Sequence, residues 1–470
     1  MNFESAAEFC LNYALKKGVV FVDVRAEHST SNHFLIHNGV LKSVSFGSDE
    51  GVGVRIKTRR NNALIFFSTN NLERNNLKSL IDNAIKLSEK RKISVEDGLC
   101  DNNKTFKKKY SVKQKINVLD LGPDEKIKLL LDLEKKTRDF AESRFFSLSD
   151  ELTRKLILTS DGTRILSVIP RIHFYYVINV FEKNKVLEHY LPFGSSSGYE
   201  IIKRWNLSEK IKNDALALRN NLKHGRRLKP GVYDVVVAPE VTGIIVHESC
   251  GHPFEADRIL GREAAQAGES FIKPEMLNKL FASVNVNIVD DPTVPKSYGY
   301  YLFDDEGVKA RRKFLIRTGR ITDFLHNKTT ALLFNTKSNG SARSTSYEFE
   351  PIVRMSNTFM LPGDYYEEEL IEGVKKGVFI KSFMEWNIDD KRFNQKYVGS
   401  EAYLIINGEV KEPIINPVLE ITTPQLYKSI DVTANNLELF AGTCGKGEPM
   451  QGIPVTMGGP SFRMRRIRLR

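Results

Sequence analysis

GVYDVVVAPEVTGIIVHESCGH, Gly231 to His252, is the stretch on which the reading of this chain turns. Its valine-rich start reads as a buried strand, and Pro239 suits the first turn of a helix running from Glu240 to about His252. At the end of that helix His247 and His252 flank the carboxylate of Glu248, which are the residue types that supply metal ligands and a general base. In the HExxH zinc motif the two histidines are four residues apart and share a helix face. Here the second is one residue late, and at about 100° per residue a five-residue step leaves it roughly 140° around a regular helix. A π-bulge would absorb the extra residue and bring His252 back towards His247. Gly251 eases such a deformation. Spacing alone leaves both a metal site and a chance pairing open. Cys250, three residues after His247, is either a rival ligand or, the favoured role, a buried inert thiol.

Composition bounds the rest. With 470 residues the chain can bury two or three cores, and 41% hydrophobic with 27% charged residues is ordinary for a soluble globular protein. Four widely separated cysteines, Cys10, Cys100, Cys250 and Cys444, contain no CxxC pair and point to a reducing, cytoplasmic setting. The opening MNFESAAEFCLNYALKKG reads as an amphipathic helix closed by Gly18 rather than a signal peptide, and no apolar run reaches 18 residues. No membrane association is expected. A net charge of +12 and a pI near 9.2 raise the question of nucleic acid. The basic stretches do not answer it: KTFKKKYSVKQK (Lys104 to Lys115) reads as a solvated linker and RMRRIRLR as a half-buried terminal strand. With no zinc knuckle or RRM signature, nucleic-acid binding is not expected.

Three regions separate along the chain. Residues 1–100 combine the opening helix, alternating strands punctuated by Gly47, Gly51 and Gly53, and a helix from Asn75 to about Lys90. Residues 101–228 begin in a polar stretch from Glu96 to Lys115, then give the helix DEKIKLLLDLEKKTRDF and strands around a tight turn at Ser160 to Gly162. Residues 229–470 hold the motif helix, followed mostly by short β segments.

Beyond the motif, HESCGHPFEAD, DDEGVKARRKFLIRTGRITDFLHNKTTA, SARSTSYEFEPIVRMSNTFMLPGD and GTCGKGEPMQGIPVTMGGPSFRM occur in the order found in the TldD/PmbA family of zinc metallopeptidases. NGVLKSVSFGSDEGVGVRI extends the likeness towards the start, and the chain resembles the TldD-type members, since PmbA-type proteins generally lack the His247–His252 segment. The resemblance implies an α+β fold with an N-terminal α/β portion and a β-rich C-terminal portion carrying the metal-binding helix. It also implies that His247, His252 and Cys444 ligate zinc and that Glu248 is the general base. Two imidazoles and a thiolate leave a fourth position open, as catalytic zinc requires. Gly442 and Gly445 suit a tight turn presenting the thiolate.

Tyr347 and Arg354 fall in family-like stretches and are candidates for binding a peptide substrate, with Arg343 a further one. Asp257, Asp304 and Asp305 are candidate partners of the histidine ligands, while His326 reads as an ordinary loop or strand residue. FGSSSGYE, Phe193 to Glu200, stands where the family often has a longer glycine run, so a hinge or backbone contact there is expected to be altered. The implied assembly is a homodimer or a heterodimer with a PmbA-type chain. The rival function is a gyrase-modulator-like regulator that binds protein or nucleic acid and uses its metal only for shape.

Overall fold

The computed structural model describes residues 1–58, 63–92, 94, 97–100, 104–261 and 268–470. Glu96 of the polar stretch, residues 59–62 within a predicted strand, and residues 101–103 beside the expected boundary at 100 lie outside the described residues. The fold is α+β. Period-two alternation produces the long strands Val19–His37 and Val40–Thr58, joined through Asn38 and Gly39, both at positive φ (47° and 77°), as a two-residue hairpin turn demands. In the first sheet the order is Leu64–Thr69, Val40–Thr58, Val19–His37, Ser143–Thr159, Arg164–Glu182 and Lys107–Ser111, with Lys185–Ser195 also on Arg164–Glu182. Regions 1–100 and 101–228 therefore share one sheet, stitched where Asp23 to His37 pairs antiparallel with Phe145 to Thr159.

The expected solvated linker is partly a strand. Lys107–Ser111 pairs parallel with Arg164 to Val168 and closes one side of this sheet, with Lys107, Lys108 and Lys109 exposed. Half-buried Phe106 and Tyr110 lean on Phe303, so two aromatics anchor a segment whose lysines guard the sheet edge.

One face of the sheet is apolar along its length. Val22, Val24, Ala26, Val54 and Leu158 bury against the helices Phe3–Lys16 and Arg74–Lys90, while Phe34, Phe146, Phe174 and Ile178 share a core with Pro123–Thr137 and Leu207–His224. The opposite face is polar, and around Asp23, Arg25 and Arg55 it too is buried, where the C-terminal half covers it. Arg55 Nη1 lies 2.9 Å from Glu306 Oε1, and Lys155 Nζ lies 2.6 Å from Asp305 Oδ1. Gly51 and Gly53 do not punctuate hairpins as expected; they lie inside Val40–Thr58, as does Gly47. The reason is close approach: a Cβ on Gly51 would stand 2.2 Å from the Tyr347 ring, and one on Gly53 would stand 2.2 Å from the Tyr347 carbonyl oxygen.

In the C-terminal half Gly231–Val237 lies between Lys376–Ile388, parallel to it, and Phe462–Leu469, antiparallel to it. An interior strand explains the unbroken valine run, and Val235, Val236 and Val237 are fully buried. The terminal RMRRIRLR is the neighbouring strand, with Arg463 and Arg465 both paired to Asp431. A second sheet of six strands ends in the order Asn357–Met360, Gln451–Gly459, Glu438–Lys446, which leaves Glu438–Lys446 at its edge. The helix Pro239–Val246 touches strands of both sheets. A Cβ on Gly459 would stand 2.3 Å from Thr242 Cγ2, so glycine there allows the helix to sit tightly on the second sheet. Among the described residues no helix is long and apolar enough to cross a membrane.

Candidate metal centre

The helix begins with Pro239 in its first turn, as expected, and changes character at the motif. Residues His247–Gly251 form a π-helix, in which the His252 N–H donates to the His247 carbonyl five residues back, and His252–Phe254 is a 3-10 turn. Ser249 contributes to the distortion: its hydroxyl donates to the Ile245 carbonyl four residues earlier and contacts the Tyr427 hydroxyl at 2.8 Å. The widened turn brings the rings of His247 and His252 to 4.9 Å between centroids, crossing at 83°.

Cys444 comes to the same point from the edge strand Glu438–Lys446. Gly442 and Gly445 lie within that strand rather than in the expected tight turn. The ligand atoms of His247, His252 and Cys444 lie within 4.8 Å of one another, and Cys444 Sγ is 3.4 Å from His252 Nε2. Ligand atoms at 2.0–2.3 Å from a tetrahedral zinc stand roughly 3.3–3.8 Å apart, so this set fits one such ion after small adjustments. His247 Nδ1 is buried with no hydrogen-bond partner, a cost that a native protein keeps for a reason. Burial alone would raise the Cys444 thiol, yet His252, Arg354 and His247 outweigh it and hold the thiol well below its ordinary value. Burial lowers His247, but Cys444, Glu248 and Glu255 reverse the shift.

The carboxylate that meets a candidate ligand is Glu255, beside His252, which spacing did not select. Its Oε2 lies 3.2 Å from His252 Nδ1 and accepts from Arg258 Nε at 2.8 Å. Burial opposes the charge on Glu255, but Lys446, His252 and Arg258 hold its carboxyl well below the usual range. Lys446, two residues beyond Cys444, lies 3.3 Å from Glu255 Oε2 and donates to both oxygens of Asp257 at 2.7 and 2.8 Å. Asp257 therefore ties the two segments together rather than contacting a histidine. Asp304 and Asp305 are occupied elsewhere, accepting from the backbone N–H groups of Ala342 and Ser344.

Glu248 follows His247 on the π turn, and its Oε2 accepts from Arg392 Nη1 at 2.5 Å. Arg392 lies between the strands Lys376–Ile388 and Asn394–Ile406 with φ of 63°, 144 residues from its partner. His247 and Glu248 open on a cleft of about 150 Å³ whose walls include Tyr190, Phe383, Trp386, Phe440 and Met457.

Comparison with known proteins gives this geometry a context. Residues 230–470 match the description PmbA/TldA metallopeptidase C-terminal domain, residues 22–88 match domain 1 of the same family, and residues 116–219 match its central domain. The chain belongs to the PmbA/TldD family. A metalloprotease of Methanocaldococcus jannaschii is 30% identical over 94% of this chain and 95% of its own length. The zinc metalloprotease TldD homolog of Saccharolobus solfataricus is 27% identical over 96% of this chain and 97% of its own. In fold, TldE of Thermococcus kodakarensis superposes with a TM-score of 0.80 at 16% identity, covering 99% of both chains.

Other residues singled out in this PmbA/TldD chain fall into supporting positions. Arg354 is fully buried, donates to the carbonyls of Cys444 and Gln451 and is not among the residues lining the cleft, so it holds the Cys444 strand from behind. Tyr347 is 2% exposed, its ring on Gly51 and its hydroxyl donating to Asp49 Oδ1 at 3.0 Å, which makes it an anchor to the first sheet. Arg343 donates to the carbonyls of Met355 and Pro454, each at 2.8 Å. His326 is buried beside Thr330, with a pKa that burial pushes down to about 4. Cys250 is fully buried in the core, where burial and Asp290 raise its thiol well above the ordinary value. The π turn brings His252 to the ligand group without Cys250.

Proposed function

We propose that this protein is a zinc-dependent peptidase that hydrolyses short or unfolded peptides. The observation that carries the reading is the meeting of His247, His252 and Cys444 beside the Glu248 carboxylate, at the mouth of an apolar cleft. His247, His252 and Cys444 would hold the zinc, which when bound would supply Lewis acidity that lowers the pKa of a water to about 7. Glu248 takes the proton of the attacking water as general base and returns it to the leaving amine. Arg392 fixes the orientation of that carboxylate, and Glu255 fixes the His252 ring. An extended peptide adds along the edge strand Glu438–Lys446, whose backbone would bind it with little regard to sequence. The dimer, of two such chains or with a PmbA-type chain, and the cytoplasmic location belong to the same proposal; the first rests on the family resemblance and the second on four scattered cysteines with no CxxC pair.

The second reading is a regulator with a structural metal, favoured by the charge of +12 and by a fold neighbour of Bacteroides thetaiotaomicron described as a candidate modulator of DNA gyrase. A Glu248→Gln variant separates the two. The peptidase reading expects retained zinc and fold with peptide hydrolysis lost. The regulator reading expects salt-dependent DNA binding by the purified chain and no cleavage of a peptide library.

A further inference from the structure

The cleft beside the metal ligands contains a second carboxylate whose role nothing above explains. Glu240 opens the helix Pro239–Val246, seven residues before His247. Two helical turns set both side chains on one face, about 10 Å apart along the axis, and both line the cleft. The charged groups lining it are Glu240 and Glu248, and no lysine or arginine is among its lining residues. Glu248 has Arg392 as its counter-charge.

Glu240 has no comparable partner. Its Oε1 is buried without a hydrogen bond, and its Oε2 is 3.9 Å from His189 Nε2, which stands nearer to Asp214 Oδ2 at 3.4 Å. Neighbouring acids are already satisfied: Lys210 Nζ is 2.8 Å from Asp214 Oδ1, and Lys381 Nζ is 3.0 Å from Glu401 Oε1. A buried carboxylate left short of a counter-charge is costly, and such groups concentrate at binding sites. The cost shows in its titration: burial pushes the Glu240 carboxyl up to about 7, with His189 and Lys210 offsetting only part of the effect.

We propose that this cleft is a subsite for a basic side chain of the substrate, a lysine or arginine near the scissile bond, with Glu240 as its counter-ion. The apolar walls suit the aliphatic stem of such a side chain. Tyr190 and Trp386 on its walls are aromatic residues of the kind that accept a cationic head. The inference rests on the peptidase reading and names the substrate class of that same site.

The test pairs peptides that carry lysine or norleucine at each position flanking a cleavage site, each with a free and with an acetylated N-terminus. The zinc-loaded wild type should favour lysine over norleucine by about tenfold or more in kcat/KM. In Glu240→Gln that ratio should fall towards one. The same peptides are bound by calorimetry to the zinc-loaded Glu248→Gln chain, with and without Glu240→Gln, so the subsite is read without turnover. A lysine preference in binding that disappears with Glu240→Gln supports the proposal. Equal binding of lysine and norleucine peptides overturns it, as does a preference that survives Glu240→Gln. A preference that follows the free N-terminus instead of the side chain also overturns it, by assigning the carboxylate to an α-ammonium. Absence of turnover in the wild type would count against the peptidase reading alone.

Discussion

Cys444 Sγ lies 3.4 Å from His252 Nε2, although 192 residues separate them in sequence. Two devices produce that meeting: a π turn that rotates His252 towards His247, and a helix seated closely on the sheet whose edge strand carries Cys444. The testable consequences concern the groups that hold these parts in place.

Glu255 orients His252 and is itself held by Arg258 and Lys446. Glu255→Gln should keep the fold and weaken zinc binding by about 10- to 100-fold in competition with a chelator. Unchanged zinc affinity would remove Glu255 from the account.

Arg392 is the arginine that grips the Glu248 carboxylate. Arg392→Ala should lower kcat/KM by roughly 100-fold with zinc content unchanged, because a misplaced base costs rate without touching the ligands. Arg392→Lys should recover only part of the loss, since one ammonium does not reproduce the guanidinium fork. Steady-state kinetics beside metal analysis checks both.

Tyr347 anchors the two halves through Gly51 and Gly53. Gly51→Ala should destabilise the protein by about 1–3 kcal/mol in denaturant unfolding through a collision with the tyrosine ring. Tyr347→Phe should cost about 1 kcal/mol or less, the value of one partly exposed hydrogen bond. Neither substitution should change zinc content. A Tyr347→Phe variant with full stability but a raised KM would return the tyrosine to the substrate.

His326 is buried and neutral, with its pKa lowered from 6.5 to about 4. A depressed folded-state pKa gives stability that is complete above pH 6.5 and is lost as pH falls from there towards 4. At 1.36 kcal/mol per unit, about 2 kcal/mol should be lost between pH 7.5 and pH 5 through this group. Denaturant unfolding of His326→Gln should show a pH dependence flatter by that amount. Parallel curves for variant and wild type would contradict the assignment.

Much of this was legible in the residues, and the failures have physical causes. By helix geometry, two histidines five residues apart can meet one metal only through a distortion such as a π turn, and the structure contains one at His247–Gly251. Strands with period-two alternation were visible because alternation is local. Cys444 was reachable only through the family resemblance, since no local spacing ties it to a helix 192 residues away. Arg392 lacked even that help, as it sits in a turn distant in sequence from the motif. Glu255 does carry a local signal: a carboxylate three residues after His252 is within reach of its ring. Gly51 and Gly53 read as turn residues in the sequence because glycine looks the same whether it frees the backbone or makes room for a tyrosine. The lysines of Lys107–Ser111 suggested solvent, and the segment is exposed, yet it is also a sheet edge.

The most direct test is X-ray absorption at the zinc edge on the purified, zinc-loaded chain, beside the same measurement on Cys444→Ser. The account predicts one sulfur and two imidazole nitrogens in the wild type, and loss of the sulfur or of the metal in the variant. A wild-type spectrum with no sulfur neighbour, or one unchanged by Cys444→Ser, would contradict it.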